Sequence, residues 1–88
     1  MSERILVVDD DELVRTGLAA NLERAGFQVS TAASGEEGIR LAIEQHMDLV
    51  LCDLVLGDVD GIDVLRRIKA QSPNTSVVMI TAHGPIKN

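Results

Sequence analysis

The sequence is poor in aromatic side chains and in positive charge. Phe27 is the only aromatic residue among 88, with neither Trp nor Tyr. Base-stacking platforms and aromatic-lined ligand pockets depend on such side chains, so the composition argues against both. Fourteen acidic residues against eight basic ones give a net charge of −6. Because phosphate backbones are held by clustered positive charge, we expect no direct nucleic-acid binding.

Cysteines and long apolar runs are equally scarce. Cys52 is the single cysteine and cannot form an internal disulfide, which fits a reducing compartment. No apolar run approaches the roughly 20 residues of a membrane span. The first four residues lead directly into a predicted strand, without the apolar stretch of a signal peptide. These absences predict a cytoplasmic chain that does not enter the membrane.

The chain does contain alternating strand and helix patterns. Four apolar or alternating runs predict strands, at Ile5–Val8, Phe27–Thr31, Asp48–Cys52 and Ser76–Ile80. The three intervening segments repeat apolar residues at helical spacing, namely Val14, Leu18, Leu22 and Ala25, then Ile39, Ala42 and Ile43, then Ile62, Leu65 and Ile68. Strands that alternate with helices favour a parallel sheet, so we expect one α/β domain over residues 1–88.

The handedness of the connections narrows the topology. Strand–helix–strand crossovers are right-handed in nearly all proteins. If the second and third strands flank the first on opposite sides, the strand order is 2-1-3-4. The first helix then lies on one face of the sheet, and the second and third helices lie on the other. The expected fold is a doubly wound, flavodoxin-like α/β sheet.

Acidic residues follow the predicted strands at the edge where such folds bind ligands. Asp9 and Asp10 come after the first strand, Asp53 after the third and Thr81 after the fourth. If the first and third strands are neighbours, these side chains converge. Three adjacent carboxylates repel one another unless a cation joins them, and oxygen ligands of this kind suit Mg²⁺. A carboxylate held in this way is a competent nucleophile toward a phosphoryl group, and the Thr81 hydroxyl can donate to a phosphoryl oxygen.

The sequence resembles the receiver domains of bacterial two-component response regulators along its whole length. The resemblance rests on four matches in register, which are Asp9-Asp10, Asp53, Asp60-Gly61 and Thr81-Ala82. It implies that Asp53 accepts a phosphoryl group from a histidine kinase and that the domain is not an enzyme in its own right. It also implies that Mg²⁺ is held by Asp9, Asp10, Asp53 and the backbone carbonyl of Val55, with Thr81 contacting the phosphoryl group.

The sequence departs from the family pattern at two places. Leu56-Gly57 stands where the family usually has Met-Pro, so a flexible residue replaces a rigid one. The family's lysine, its aromatic switch residue, its fifth strand and its last two helices would all lie beyond Asn88. We therefore expect a receiver domain truncated after the fourth strand. Its uncovered edge, Val77–Ile80, and its open sheet face favour self-association.

Two other functions remain open at this point. Asp9-Asp10-Asp11 also matches the Asp-x-Asp motif of Mg²⁺-dependent phosphatases of the haloacid-dehalogenase type, in which Asp9 would be the nucleophile. Alternatively, the chain is a receiver-like interaction module that is never phosphorylated, since the family's lysine is missing.

Other polar residues have structural explanations. We expect Asp11 to cap a helix, Cys52 to be a buried inert thiol, and His83 to be a loop residue without a function.

Overall fold

The computed structural model describes residues 3–80, so the predictions for Thr81, Ala82 and His83 lie outside the described residues. The predicted alternation of strands and helices is confirmed, with the bounds of the first three strands moved by one residue. The elements in chain order are β1 (Arg4–Val8), α1 (Glu12–Arg24), β2 (Gln28–Ala32), α2 (Gly35–Glu44), β3 (Leu49–Asp53), α3 (Gly61–Gln71) and β4 (Ser76–Ile80).

The four strands form one parallel sheet in the order β2-β1-β3-β4, as predicted. In the register, Val8 at the end of β1 pairs with Ala32 of β2 on one side and with Cys52 of β3 on the other. The central strands therefore end at the same level, and Asp9 and Asp53 follow at the same edge of the sheet. Short crossovers with this topology produce the predicted doubly wound fold.

The hydrophobic core lies between the sheet and the pair α2 and α3. Alternate residues of β1 and β3 point into it, and both helices cover it with apolar side chains. The helices are close-packed against the strands, since a methyl group on Gly38 would lie 2.7 Å from Cγ2 of Val8. The buried members of this core are Leu6, Val8, Ala32, Ile39, Ala42, Met47, Val50, Cys52, Leu56, Val64 and Ile68.

The predicted stripes of α2 and α3 were partly wrong. Ile43 and Ile62 are 45% and 37% exposed. In α2, the buried positions are Gly35, Gly38, Ile39 and Ala42, and in α3 they are Gly61, Val64 and Ile68. The reason is that glycines occupy the points of closest approach, so each stripe is rotated away from the one that the apolar residues alone indicate.

Helix α2 begins with a modified capping box. The Ser34 hydroxyl accepts from the Glu37 N–H at 3.2 Å, as the pattern requires. The Glu37 carboxylate, however, accepts from the N–H of Ala33 at 3.0 Å, one residue before Ser34. The reciprocal half of the box is therefore shifted by one residue.

The opposite face of the sheet is covered more thinly. Helix α1 contacts β1 and β2, but none of its residues is fully buried. Its last residue, Arg24, is followed by the capping residue Ala25 and then by Gly26, whose φ of 104° is a left-handed conformation that favours glycine. Ile5 and Val7 are buried on this side, whereas Val78 of β4 is 47% exposed.

Candidate functional site

Three carboxylates meet at the carboxyl edge of the sheet. One oxygen from each of Asp9, Asp10 and Asp53 lies within 4.8 Å of the others. Asp9 follows β1 and Asp53 ends β3, and because these strands are neighbours their last residues lie side by side. The structure thus brings together the three acids that the sequence indicated as metal ligands.

Asp9 is the most constrained of the three. Its side chain is fully buried, and its Oδ1 accepts from the Asp11 N–H at 2.9 Å. Its Oδ2 is also buried and has no hydrogen-bond partner among the described residues. Burial raises the pKa of Asp9 above its usual value, the Asp11 N–H opposes this, and the charges of Asp53 and Asp10 raise the pKa further. A buried carboxylate oxygen without a partner is costly, and a cation would relieve that cost.

Asp53 is buried and Asp10 is exposed, so the cluster is reached from solvent on the Asp10 side. An oxygen of Asp53 accepts from the Val55 N–H at 3.3 Å, which turns the chain directly after β3. Arg15 on α1 donates to the backbone carbonyl of Asp9 at 2.9 Å. The Arg15 contact holds the start of α1 against the same edge of the sheet. The segments on either side of the cluster, after β3 and at the start of α1, are therefore both hydrogen-bonded to the ends of the central strands.

Mg²⁺ fits this donor set. It prefers hard oxygen ligands, commonly one or two carboxylates with retained water, and here two buried carboxylates face one that is open to solvent. Val55 lies two residues beyond Asp53 in the loop that borders the cluster, and its side chain is 62% exposed. Its backbone carbonyl, the fourth ligand implied by the resemblance, remains a prediction.

The Asp60-Gly61 pair has a clear physical basis. Asp60 caps α3 by accepting from the Ile62 N–H at 2.9 Å. A methyl group on Gly61 would lie 2.6 Å from the carbonyl oxygen of Asp53 and 2.7 Å from that of Leu54. Only glycine allows α3 to begin this close to the backbone that carries Asp53.

Asp11 is not part of the cluster and caps a helix instead. Its Oδ1 accepts from the N–H groups of Leu13 and Val14 at 2.9 and 3.2 Å, so it caps α1 as expected. A phosphatase of the Asp-x-Asp type would use the first and third acids of Asp9-Asp10-Asp11 together. Here the third acid is engaged at the helix start, which disfavours that alternative.

Cys52 lies beside the site but does not face it. Its side chain is fully buried in the core on the other face of β3, as expected. Burial, with smaller contributions from the charges of Asp53 and Asp9, raises the pKa of the Cys52 thiol to about 12. The thiol therefore stays protonated at neutral pH and is a poor nucleophile.

Asp58 was missed by sequence reasoning. Its two carboxylate oxygens accept from the N–H groups of Gly35 and Glu36 at 2.9 and 3.0 Å. These N–H groups open α2, and they hold the pKa of Asp58 below its usual value. The partners are more than 20 residues apart in the chain, so no local pattern reveals the contact.

Arg15 was missed for a similar reason. A basic residue inside a surface helix is ordinarily solvated, and nothing in its spacing indicates a bond to a backbone carbonyl. No helix within residues 3–80 is long and apolar enough to cross a membrane.

Comparison with known proteins identifies the family. Residues 5–88 match the family model of the response regulator receiver domain. The chain is 42% identical over 82 residues to the alkaline phosphatase synthesis transcriptional regulatory protein PhoP of Bacillus subtilis, covering 93% of this chain and 34% of PhoP. The chain thus spans about a third of the length of the curated relatives it matches.

Solved structures show the same architecture. A receiver domain protein from Methanospirillum hungatei superimposes with a TM-score of 0.91 at 29% identity, covering 98% of this chain and 69% of that one. The response regulator TrrA of Thermotoga maritima, solved with Mg²⁺ and BeF, gives a TM-score of 0.87 at 31% identity, covering 91% and 70%.

A further match comes from the complex of histidine kinase ThkA with TrrA, at a TM-score of 0.86 and 29% identity, covering 98% of this chain and 74% of that one. Together with the acidic cluster at the carboxyl edge of a 2-1-3-4 sheet, these findings show that the chain belongs to the response regulator receiver domain family.

Proposed function

We propose that Asp53 accepts a phosphoryl group from a histidine kinase, in a site that binds Mg²⁺ through Asp9, Asp10, Asp53 and the backbone carbonyl of Val55. Two observations carry the proposal: Oδ2 of Asp9 is buried without a partner among the described residues, and one oxygen from each of Asp9, Asp10 and Asp53 lies within 4.8 Å of the others. Such an arrangement is unfavourable by itself and becomes favourable when a divalent cation is bound.

The chemistry follows from the position of Asp53. An oxygen of its carboxylate forms a bond to phosphorus, and the bond between phosphorus and the donor's histidine nitrogen breaks, leaving the imidazole to take up a proton. Bound Mg²⁺ would supply positive charge against the phosphoryl oxygens. Asp9 and Asp10 hold the cation, and burial of Asp53 limits competing solvent. The Thr81 hydroxyl, outside the described residues, would donate to a phosphoryl oxygen.

Known relatives support this assignment. TrrA was solved with Mg²⁺ and BeF and also in complex with the histidine kinase ThkA. By analogy, the partner of this chain is a histidine kinase, its cofactor is Mg²⁺, and its location is the cytoplasm. In this role the chain is a phosphoacceptor and not an enzyme in its own right, and it makes no direct contact with nucleic acid.

Phosphoryl labelling tests the proposal. The chain is incubated with acetyl phosphate and Mg²⁺, and incorporation is measured for the unaltered chain, Asp53→Asn and Asp63→Asn. Asp63 is an exposed acid in the first turn of α3 and serves as the matched control. We expect Asp53→Asn to lose labelling and Asp63→Asn to keep it. Undiminished labelling of Asp53→Asn would refute the assignment. Absence of labelling in the unaltered chain would favour the unphosphorylated interaction module.

We also propose that the 88-residue chain self-associates through β4 or the sheet face beside it. Val78 of β4 is 47% exposed, and the strand has no charge or proline to discourage edge pairing. Pairing at the edge, packing of the open face and exchange of elements are the three possible modes. Val78→Lys should shift the chain toward the monomer in light scattering, whereas Val55→Lys, at a more exposed loop position, should not. A chain that stays monomeric at high concentration would contradict this proposal.

A further inference from the structure

The loop between β3 and α3, residues 54–60, connects the acidic cluster to helix α2. At its beginning, the Val55 N–H donates to Asp53. Farther along, Asp58 reaches across to α2 and accepts from the N–H groups of Gly35 and Glu36. One short loop therefore touches both the proposed metal ligands and the first turn of a helix that is distant in sequence.

Within this loop Leu56 is buried in the core, whereas the next residue, Gly57, has little to hold it in place. Gly57 lacks a side chain, and its N–H donates no hydrogen bond to any described residue. A methyl group there would lie 3.5 Å from Oδ2 of Asp10, which places Gly57 directly beside the acidic cluster. Because glycine is the most flexible residue, the segment next to the cluster depends on restraints from its neighbours.

Leu56 anchors one side of Gly57 in the core, and two contacts on the other side provide further restraint, both at the same point on α2. The Val59 side chain occupies the space where Gly35 lacks one, so that a methyl group on Gly35 would clash with Val59. The Asp58 carboxylate bonds the N–H of the same Gly35 and of the next residue. The apolar contact and the paired hydrogen bonds together fix the loop against the start of α2.

We propose that Asp58 is a positioning residue for the metal site: by capping α2 from the β3–α3 loop, it holds the Val55–Gly57 segment in the conformation that binds Mg²⁺. This inference rests on the proposed function, since it concerns the same site. Asp58 does not touch the metal or the phosphoryl group. It acts through the loop, by reducing the number of conformations that the unbound site can adopt.

The surrounding charges favour an ionised Asp58. The N-terminus of a helix carries partial positive charge, and its first N–H groups have no partners within the helix. Glu36 brings a negative charge close by, but its carboxylate is paired with Arg67 of α3 at 3.2 Å. A neutral side chain would make weaker hydrogen bonds at this position than the carboxylate does.

Mg²⁺ affinity measures the positioning directly. It is determined by calorimetric titration or NMR with MgCl₂ for the unaltered chain, Asp58→Ala, Asp58→Asn and the control Asp63→Ala. Asp58→Ala should bind about three- to tenfold more weakly, because a smaller fraction of the chain holds the binding conformation. Asp58→Asn retains one acceptor oxygen and should lie between. Asp63→Ala removes the same charge from a nearby exposed position and should bind normally.

A second substitution separates loop restraint from general loss of stability. Gly57→Pro, introduced into Asp58→Ala, stiffens the loop without restoring either hydrogen bond, and it removes no N–H that is bonded to a described residue. We expect it to recover most of the Mg²⁺ affinity. Amide hydrogen exchange at Val55 should rise in Asp58→Ala and fall again in the double variant.

The outcomes are distinct. Normal Mg²⁺ binding by Asp58→Ala would overturn the positioning role and leave the proposed function intact. Equal losses in Asp58→Ala and Asp63→Ala would overturn it as well, since charge alone would then explain the effect. A double variant that binds no better than Asp58→Ala would show that loop restraint is not the cause. Failure of the unaltered chain to bind Mg²⁺ would contradict the proposed function itself and the positioning role with it.

Discussion

The two edges of the sheet differ in whether their buried polar groups have hydrogen-bond partners. At the amino edge the buried Thr75 hydroxyl donates to the Met47 carbonyl at 2.9 Å, and even the exposed Asp48 carboxylate is paired, accepting from the Arg4 N–H at 2.8 Å. At the carboxyl edge, the buried Oδ2 of Asp9 has no partner among the described residues. The same strands therefore end in a satisfied network on one side and in a concentration of negative charge on the other. This difference separates a structural edge from a functional one.

The largest expected loss of stability comes from adding a methyl group at the carboxyl edge, in Gly61→Ala. Gly61→Ala forces the backbone of Asp53 and Leu54 apart from α3, because a side chain there meets carbonyl oxygens and not flexible groups. We expect the free energy of unfolding to fall by about 2–3 kcal/mol, with loss of Mg²⁺ binding. Urea denaturation measures this. Gly17→Ala is the control, since a methyl group there meets nothing within 4 Å. It should stabilise α1 by about 0.5–1 kcal/mol. If Gly61→Ala unfolded with an unchanged free energy, the close approach of α3 to the backbone of Asp53 and Leu54 would not be required for stability.

At the amino edge, Thr75→Val should lower stability without affecting function. The substitution removes a hydroxyl that is bonded to Met47 and lies 2.8 Å from the Ser72 hydroxyl. The unfolding free energy should fall by about 1–3 kcal/mol, because a buried carbonyl loses its partner. Thr31→Val, on an exposed position of β2, should change it by less than about 0.5 kcal/mol. Reduced Mg²⁺ affinity in folded Thr75→Val would weaken the distinction between the two edges.

Asp9→Asn should raise the free energy of unfolding, in contrast to the two preceding substitutions. It removes a buried charge next to Asp10 and Asp53 while retaining an oxygen that can accept from the Asp11 N–H. In the absence of metal, we expect the variant to be more stable than the unaltered chain by about 0.5–2 kcal/mol. The extra stability provided by MgCl₂ should disappear. Thermal unfolding with and without MgCl₂ measures both effects, and a metal-free variant that is less stable would contradict the interpretation of Asp9 as a strained ligand.

The smallest expected effect is a loss of stability at alkaline pH that arises from the Cys52 thiol. Its pKa is about 12 in the folded chain against 9.0 for an unperturbed thiol. Because the folded pKa is raised, the contribution of Cys52 to stability is complete below about pH 9 and is lost as the pH rises toward 12. Iodoacetamide at pH 8 should alkylate the unfolded chain and spare the folded one. Cys52→Ala should reduce the loss of stability above pH 9, and an identical alkaline loss in that variant would contradict the assignment.

Much of this arrangement could be predicted from the sequence because parallel strands place their carboxyl ends together. The pattern that ends in Asp9-Asp10 and the one that ends at Asp53 were sufficient to indicate the cluster. With the second and third strands taken to flank the first, the expected strand order was 2-1-3-4, which the structure confirms. The right-handed crossover rule then placed the first helix on one face of the sheet and the other two on the opposite face.

The remainder depends on contacts between distant segments. The bond from Asp58 to Gly35 and Glu36 spans more than 20 residues and has no periodic signature. The buried glycines of α2 and α3 were overlooked for a different reason, because a pattern of apolar residues gives no weight to glycine. Gly38 and Gly61 lie where a helix comes closest to the sheet or to the end of β3, and Gly35 lies where α2 meets α3 and the β3–α3 loop.

The most direct test of Asp53 as the phosphoacceptor is to identify the residue that carries the phosphoryl group. The chain is treated with acetyl phosphate and MgCl₂, the acyl phosphate is reduced with borohydride, and the modified residue is identified by peptide mass spectrometry. We expect modification at Asp53 that depends on Mg²⁺ and is lost in Asp9→Asn. Modification at Asp9 would instead support the phosphatase alternative and contradict the assignment of Asp53 as the phosphoacceptor.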